Sequence, residues 1–318
     1  MRKITNKEKI EGRLYEHSLA VKQVQKVDSE NFGKDFINGT IDIATDEECL
    51  NVVSVHFSYV APLTKAGKKN DTFYALKTII DSGKTILSDG RDNATLVKVD
   101  TALGLNDFFT SKNGEEELVS AKRNEGGFVS IVSKLSDESV RNTFECDMLI
   151  NKTKLVEVNE ERHIDEEYLV VEGAVFNFRN EILPVQFVVK NAGGIKYFES
   201  LDASPQNLVF TKVWGKIVSE TVKYSKEEES AFGEPVIKEY ERKNKNWVIT
   251  GTAKEVYEIE DSVNGITNAE IAKAIADREI YLADVKRKSD EYQATNKAAG
   301  AAPAQGAGVT AVAGGFNF

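Results

Sequence analysis

Leu50-Asn-Val-Val-Ser-Val-His-Phe-Ser-Tyr-Val60 decides how the fold is read. Within it Val53, Val55, Phe57 and Tyr59 take one side of a two-residue period, and Ser54, His56 and Ser58 take the other. Such a stretch is a half-buried antiparallel strand, with one face to a core and one to solvent or ligand. Just upstream, Asp35-Phe-Ile-Asn-Gly39-Thr-Ile-Asp-Ile-Ala-Thr45 is a glycine-punctuated strand that runs through a short polar turn into it. The pattern returns as Tyr168-Leu-Val-Val-Glu-Gly173-Ala-Val-Phe-Asn-Phe178 followed by Ile182-Leu-Pro-Val-Gln-Phe-Val-Val189. There Leu183, Val185, Phe187 and Val189 repeat the alternation. Matching Gly39 to Gly173 sets the copies 134 residues apart (173 minus 39). That offset is too long for a solenoid repeat and suits a duplicated small domain.

Each copy has an opening strand, within Gly12–Lys22 in the first and Thr143–Ile150 in the second. Further strands are expected at Phe73–Ile80, Ala94–Val99, Gly127–Ser133, Ile195–Phe198, Leu208–Val218 and Trp247–Thr250. Many short strands split by Gly, Asn, Asp and Lys turns favour sandwiches or small barrels. The expected fold is mostly β: two tandem OB-like small barrels over residues 1–135 and 136–260, then a C-terminal α-helix within 261–295. Thr267-Asn-Ala-Glu270 is a capping box that should open that helix, with Ile271, Ile275, Leu282 and Val285 as its apolar stripe. Residues 296–318 are Ala- and Gly-rich, too poor in side chains to order themselves, and are expected to be disordered.

At 318 residues, 41% hydrophobic and 29% charged, the chain has the composition of an ordinary soluble protein with room for two cores. It has no apolar run of the roughly 18 residues that would span a bilayer, so no membrane partner is expected. The first ten residues carry cations without an apolar stretch behind them, and Cys49 and Cys146 are the only cysteines. Both features favour a reducing compartment, the cytoplasm. A net charge of −10 and a pI near 5.1 speak against wholesale nucleic-acid binding but leave room for a local positive groove.

Catalytic signatures are missing. Gly83-Lys84-Thr85 resembles the end of a P-loop, but position 78, where the motif needs glycine, is Thr78, so the segment reads as a surface turn. His17, His56 and His163 share no metal-ligand spacing with one another or with the cysteines. The acidic runs Asp46–Glu48, Glu115–Glu117 and Glu227–Glu229 read as turns and solvated faces. The reading is a non-enzyme, without cofactor or metal.

What remains is basic and aromatic residues on β scaffolds. Single strands of nucleic acid are held by cations that track phosphates and by exposed rings on which bases stack. Lys65, Lys68 and Lys69 form a basic loop just ahead of Tyr74. Lys122 and Arg123 precede a glycine pair and Phe128. Lys212, Trp214 and Lys216 alternate along one strand face, and Arg242, Lys243 and Lys245 lead into Trp247. For each segment the bland alternative is a hairpin tip or a core ring.

The texture of Phe36–Asp46, Lys122–Phe128, Phe176–Pro184, Phe210–Gly215 and Glu229–Glu234 resembles phage- and prophage-encoded single-stranded-DNA-binding proteins of Gram-positive bacteria. The resemblance covers most of the chain and implies OB-like modules, single-stranded DNA as partner, and a role in phage DNA replication or recombination without catalysis. By analogy with bacterial single-stranded-DNA-binding proteins, Phe316 and Phe318 at the end of the tail would dock on a replication or recombination protein. The acidic run that usually precedes such a terminal phenylalanine is absent here. Two alternatives stay open: a virion structural or assembly protein built from tandem β domains, which would be a homo-oligomer, and an inert tail.

Overall fold

The computed structural model describes residues 2–112, 115–159, 164–228, 232 and 236–298. Eleven strands form one continuous sheet that closes twice. The first half holds β1 (Asn6–His17), β2 (Ala20–Gln23), β3 (Asp35–Ala44), β4 (Val52–Val60), helices α1 (Asp71–Ser82) and α2 (Ile86–Asp89), β5 (Leu96–Lys112) and β6 (Glu115–Ile131). The second holds β7 (Asn142–Val156), β8 (Tyr168–Phe176), β9 (Ile182–Val189), α3 (Ala192–Ser200), β10 (Val209–Glu228) and β11 (Val236–Thr252), and α4 (Asn268–Ala298) follows.

In the first half β1 pairs antiparallel with β3 and β5, β3 with β4, β5 with β6, and β4 runs parallel to β6. In the second half β7 pairs with β8 and β10, β8 with β9, β10 with β11, and β9 runs parallel to β11. Each ring has five strands with a helix between the third and fourth, which is the OB barrel. The fold is mostly β, and both barrels are OB-like.

The barrels are joined through their first strands, β1 against β7, with Asn6 opposite Cys146 and Ile10 opposite Asn142. The registers define an approximate two-fold axis at this seam. Glu8 pairs with Thr101 as Phe144 pairs with Gly215, so Asn6 corresponds to Asn142 and Leu103 to Ile217. Side chains bear this out: Asn6 Nδ2 donates to the Leu103 carbonyl at 3.0 Å, and Asn142 Nδ2 to the Ile217 carbonyl at 2.8 Å. The same bookkeeping corrects the sequence alignment. The bulge in β1 falls beside Ile43 and the bulge in β7 beside Gly173, so Gly173 corresponds to Ile43 and not to Gly39. A Cβ on either glycine would collide with a carbonyl, that of Ser18 beside Gly39 and that of Leu149 beside Gly173, and Gly39 also holds φ +129, a left-handed value that glycine tolerates.

One hydrophobic core runs through both barrels, from Ile10, Val55 and Leu76 to Phe187, Ile217 and Trp247. Two expected strands are helices. In α1, Phe73, Leu76 and Ile79 recur at helical spacing and are buried against the first barrel; in α3, Ile195 and Phe198 do the same in the second. The bulge between β3 and β4 turns Tyr59 outward, 46% exposed, away from the buried row of Val53, Val55 and Phe57.

Helix α4 breaks the two-fold. Its capping box is formed, with the Thr267 amide donating to Glu270 Oε2 at 3.0 Å and the Glu270 amide to Thr267 Oγ1 at 3.2 Å. Ile266, Ile271 and Ala274 pack on Leu149, Phe176 and Phe210 of the second barrel. Further along, Arg278 makes a bidentate pair with Asp107 on β5, at 2.6 and 2.9 Å, inside a nearly dry contact. The helix therefore ties the two halves together. It reaches Ala298, into the span expected to be disordered; residues 299–318 lie outside the described residues.

Candidate nucleic-acid interface

The second and third strands of an OB barrel, with their flanking loops, form the face on which oligonucleotides bind. In the first barrel those strands are β3 and β4. Their outward residues include Phe36, Thr40, His56 and Tyr59, because the intervening Ile37, Ile41, Val55 and Phe57 point into the core. Phe36 and Tyr59 lie parallel, ring centroids 4.8 Å apart and 29° between planes. Lys22 on β2 sits opposite Phe36 in the ladder and is exposed, and its side chain has no ion pair or hydrogen bond among the described residues. The preceding loop adds Lys26 and Phe32, the latter 53% exposed. His56 shares the face with Arg123. Burial first, and then that guanidinium, push the imidazole pKa down, so the ring is neutral near pH 7.

The chain leaves β4 at Val60, just past Tyr59, and enters the basic loop. Lys65, Lys68 and Lys69 are all exposed there. Lys69 lies 4.6 Å from the ring centre of Tyr74 on the first turn of α1 and 3.9 Å from Asp71. Thr72 in the same turn donates to the Gly127 carbonyl at 3.1 Å. That bond sets the basic loop beside the strand that carries Phe128, which is 78% exposed. Lys65, Lys68, Lys69, Tyr74 and Phe128 thus gather at one end of the first barrel.

The other sequence candidates divide. Trp214 is 41% exposed, its indole lying over Gly251 on the neighbouring strand. Its flanking cations are engaged: Lys212 pairs with Glu145 at 2.8 Å, which raises its pKa, and Lys216 donates to the Ser139 carbonyl and to Asn142 Oδ1. Arg123 is taken by Glu125 at 2.6 Å. Lys122 is half-buried, with its amine turned inward. Its Nζ donates to the Gln186 carbonyl at 2.5 Å and lies 4.8 Å from the Trp247 ring, and burial pushes its pKa down to about 8.

Trp247 is a second correction. It is buried and donates from Nε1 to Glu8 Oε1 at 2.8 Å, so it offers no face to a base. Glu8 is itself buried at the seam, and its pKa is pushed up to about 8 by burial. Lys245 donates to Ser54 Oγ of the first barrel at 3.0 Å. The registers make Lys245 the counterpart of Lys122 and Ser54 the counterpart of Gln186. The two lysines are thus a reciprocal pair of struts between barrels. The side chains of Arg242 and Lys243, and all of Phe316 and Phe318, lie outside the described residues.

Sequence reasoning missed Lys22, Phe36 and Tyr59. A strand reading that let the bulge turn Tyr59 outward would have found the ring pair. It also passed over Lys7 and Lys9, exposed cations on β1 whose side chains have no partner among the described residues. They lie on the outer face of a six-stranded sheet, β6-β5-β1-β7-β10-β11. In its ladders Phe128 faces Asp100 and Asp100 faces Lys9, while Trp214 faces Glu145 and Glu145 faces Lys7. Among the described residues no group of three or more His, Cys, Asp or Glu side chains is placed to hold a metal ion, and no helix is long and apolar enough to cross a membrane.

A family model described as YorF matches residues 5–288. No curated relative matches the chain in sequence. Among solved structures, the wild-type single-stranded DNA binding protein from Thermus aquaticus is similar, at TM-score 0.45 and 10% identity over 80% of this chain and 94% of that one. A deletion mutant of the same Thermus protein gives TM-score 0.45 and 10% identity over 82% and 100%.

Proposed function

The chain belongs to the YorF family, and we propose that it is a non-enzymatic, largely sequence-independent binder of single-stranded DNA. The observation that carries this reading is the Phe36–Tyr59 ring pair, half open to solvent beside unpaired Lys22 on the second- and third-strand face of an OB barrel. Stacked rings take bases of any identity, and free lysines take phosphates, so the arrangement favours single strands without selecting a sequence. From there the basic loop of Lys65, Lys68 and Lys69 extends the positive edge toward Tyr74 and Phe128. The sequence resemblance described above supports a place in phage DNA replication or recombination, in the cytoplasm of a bacterial host. The terminal phenylalanines are the segment we assign to a protein partner.

The test is anisotropy of a labelled oligo-dT at two salt concentrations. Phe36→Ala or Tyr59→Ala should each weaken binding by about 1–3 kcal/mol, the range measured for one stacked base. Wild-type affinity should fall with salt, with a slope of about −0.7 per phosphate neutralised. No complex with a long oligo-dT at low salt would sink the reading.

A second reading has one observation in its favour. The six-stranded outer face spans the two-fold seam and carries exposed rings, Phe128 on one side and Trp214 on the other. Such a face suits self-association, as a structural or assembly protein would use. Light scattering decides it: large oligomers at high concentration without nucleic acid favour assembly, and a monomer or small oligomer counts against it.

A further inference from the structure

The barrels differ at the junction of third strand, helix and fifth strand. In the first barrel this junction is filled. Thr72 and Phe73 open α1, both buried, with Thr72 bonded to the Gly127 carbonyl, and the Phe57 ring packs on Gly126. In the second barrel the first turn of the helix holds Gly193 and Gly194, which bring no side chain, and Val189 stands where Phe57 stands. The result is a cavity of about 190 Å³ bounded by Val189, Asn191, Gly194, Tyr197, Ile249 and Thr250. Its walls also include Gly251, the residue beneath the exposed indole of Trp214.

We propose that this cavity takes one nucleobase of the bound single strand, next to the base that stacks on Trp214. The inference rests on the single-stranded-DNA reading and adds a site to it. The lining is mostly apolar, as a flat heteroaromatic ring requires, with a few polar groups to meet its edge. Asn191 spends its Oδ1 on the Gly194 amide at 2.6 Å, which leaves Nδ2 for a base carbonyl. Thr250 sits at the fifth-strand bulge, exposed, and borders the mouth without a polar role in it. An indole beside a ring-sized recess gives two successive bases a place, one on the surface and one inside. The first barrel, with its junction filled, binds bases only on its surface rings.

Thr250→Phe places a ring in the mouth, and Thr250→Ala leaves the mouth open as a control. Full-length protein is titrated with oligo-dT and with an oligonucleotide of the same length made of abasic sites. Thr250→Phe should weaken oligo-dT binding about tenfold, the equivalent of ~1.4 kcal/mol, while Thr250→Ala changes little. On the abasic strand the two variants should match wild type. Equal loss on both strands, or no loss on oligo-dT, overturns the pocket. If Phe36→Ala still weakens oligo-dT in that case, the DNA-binding reading survives it. If wild type binds no oligo-dT at all, both fall together. As a check that needs no variant, millimolar thymidine should change Trp214 emission in the wild-type protein, and an unchanged spectrum counts against the site.

Discussion

The two barrels share their strand pairings and few of their side chains. Glu8 in the first corresponds to Phe144 in the second, Asn124 to Trp247, and Phe57 to Val189. Only a few matched residues keep their role, such as Asn6 with Asn142 and Lys122 with Lys245, and these lie at the seam between halves. The contrast teaches what a duplicated fold must retain. Backbone ladders and the contacts that join the copies are held by geometry that both halves need. Other side chains are free to diverge, buried ones such as Glu8 and Phe144 included, so the open ring pair lies on the first barrel and the exposed indole and the cavity on the second.

The comparison can be broken most forcefully at Trp247. Trp247→Ala removes a buried indole and should cost about 3–5 kcal/mol in denaturant unfolding. At the matched position Asn124→Ala removes one hydrogen bond, from Nδ2 to the Ser54 carbonyl at 2.7 Å, and should cost about 1–2 kcal/mol. Equal losses would mean that the halves are energetically alike and the asymmetry is cosmetic.

Helix α4 has no two-fold mate among the described residues, and Arg278→Ala tests what it adds. The change strands Asp107 as a nearly dry carboxylate, with a loss of about 3 kcal/mol. Hydrogen exchange should speed up in α4 and in the outer part of β5 and β6. Loss of protection confined to α4 would show that the helix does not brace the first barrel.

The effect of Glu8 depends on pH. Its pKa is raised from 4.5 to about 8 in the folded protein, so its contribution is full below about pH 4.5 and is lost as pH rises through about 8. Lys122, lowered from 10.5 to about 8, works in the opposite sense above pH 8. Glu8→Gln keeps the acceptor for Trp247 and should remove the decline between pH 4.5 and 8, leaving the variant more stable at pH 8 by about 1 kcal/mol or more. A variant with the wild-type pH profile would place the titration elsewhere.

The least perturbing probe is fluorescence. Trp214→Phe should leave a blue-shifted emission from Trp247 that acrylamide barely quenches, whereas wild type contains one quenchable and one shielded indole. Strong quenching in the variant would show that the seam opens in solution.

Much of this was legible in the chain. Alternation at Val53, Val55 and Phe57, and again at Leu183, Val185 and Phe187, marks third strands in both barrels, and the Thr267–Glu270 capping box marks the start of α4. The helices were harder. Phe73–Ile80 and Ile195–Phe198 are rich in aromatic and β-branched residues, which favour strands locally, and tertiary packing of their three- and four-residue spacing overrides that preference. Of the candidate site, the basic loop and the exposed rings Tyr74, Phe128 and Trp214 could be named from residue type and spacing. Lys122 and Trp247 carried the same local signal, but the lysine's amine is engaged between the barrels and the indole is buried.

The sequence by itself determined a mostly β chain, its repetition, its capped last helix and its stock of cations and rings, because those follow from periodicity and composition over short spans. Only the tertiary structure decided which rings meet solvent, since burial is set by partners far away in the chain. Glu8 lies 239 residues from Trp247 and receives its N–H. No local pattern announces such a partner, and it is the pairing of β1 with β7 that brings it there.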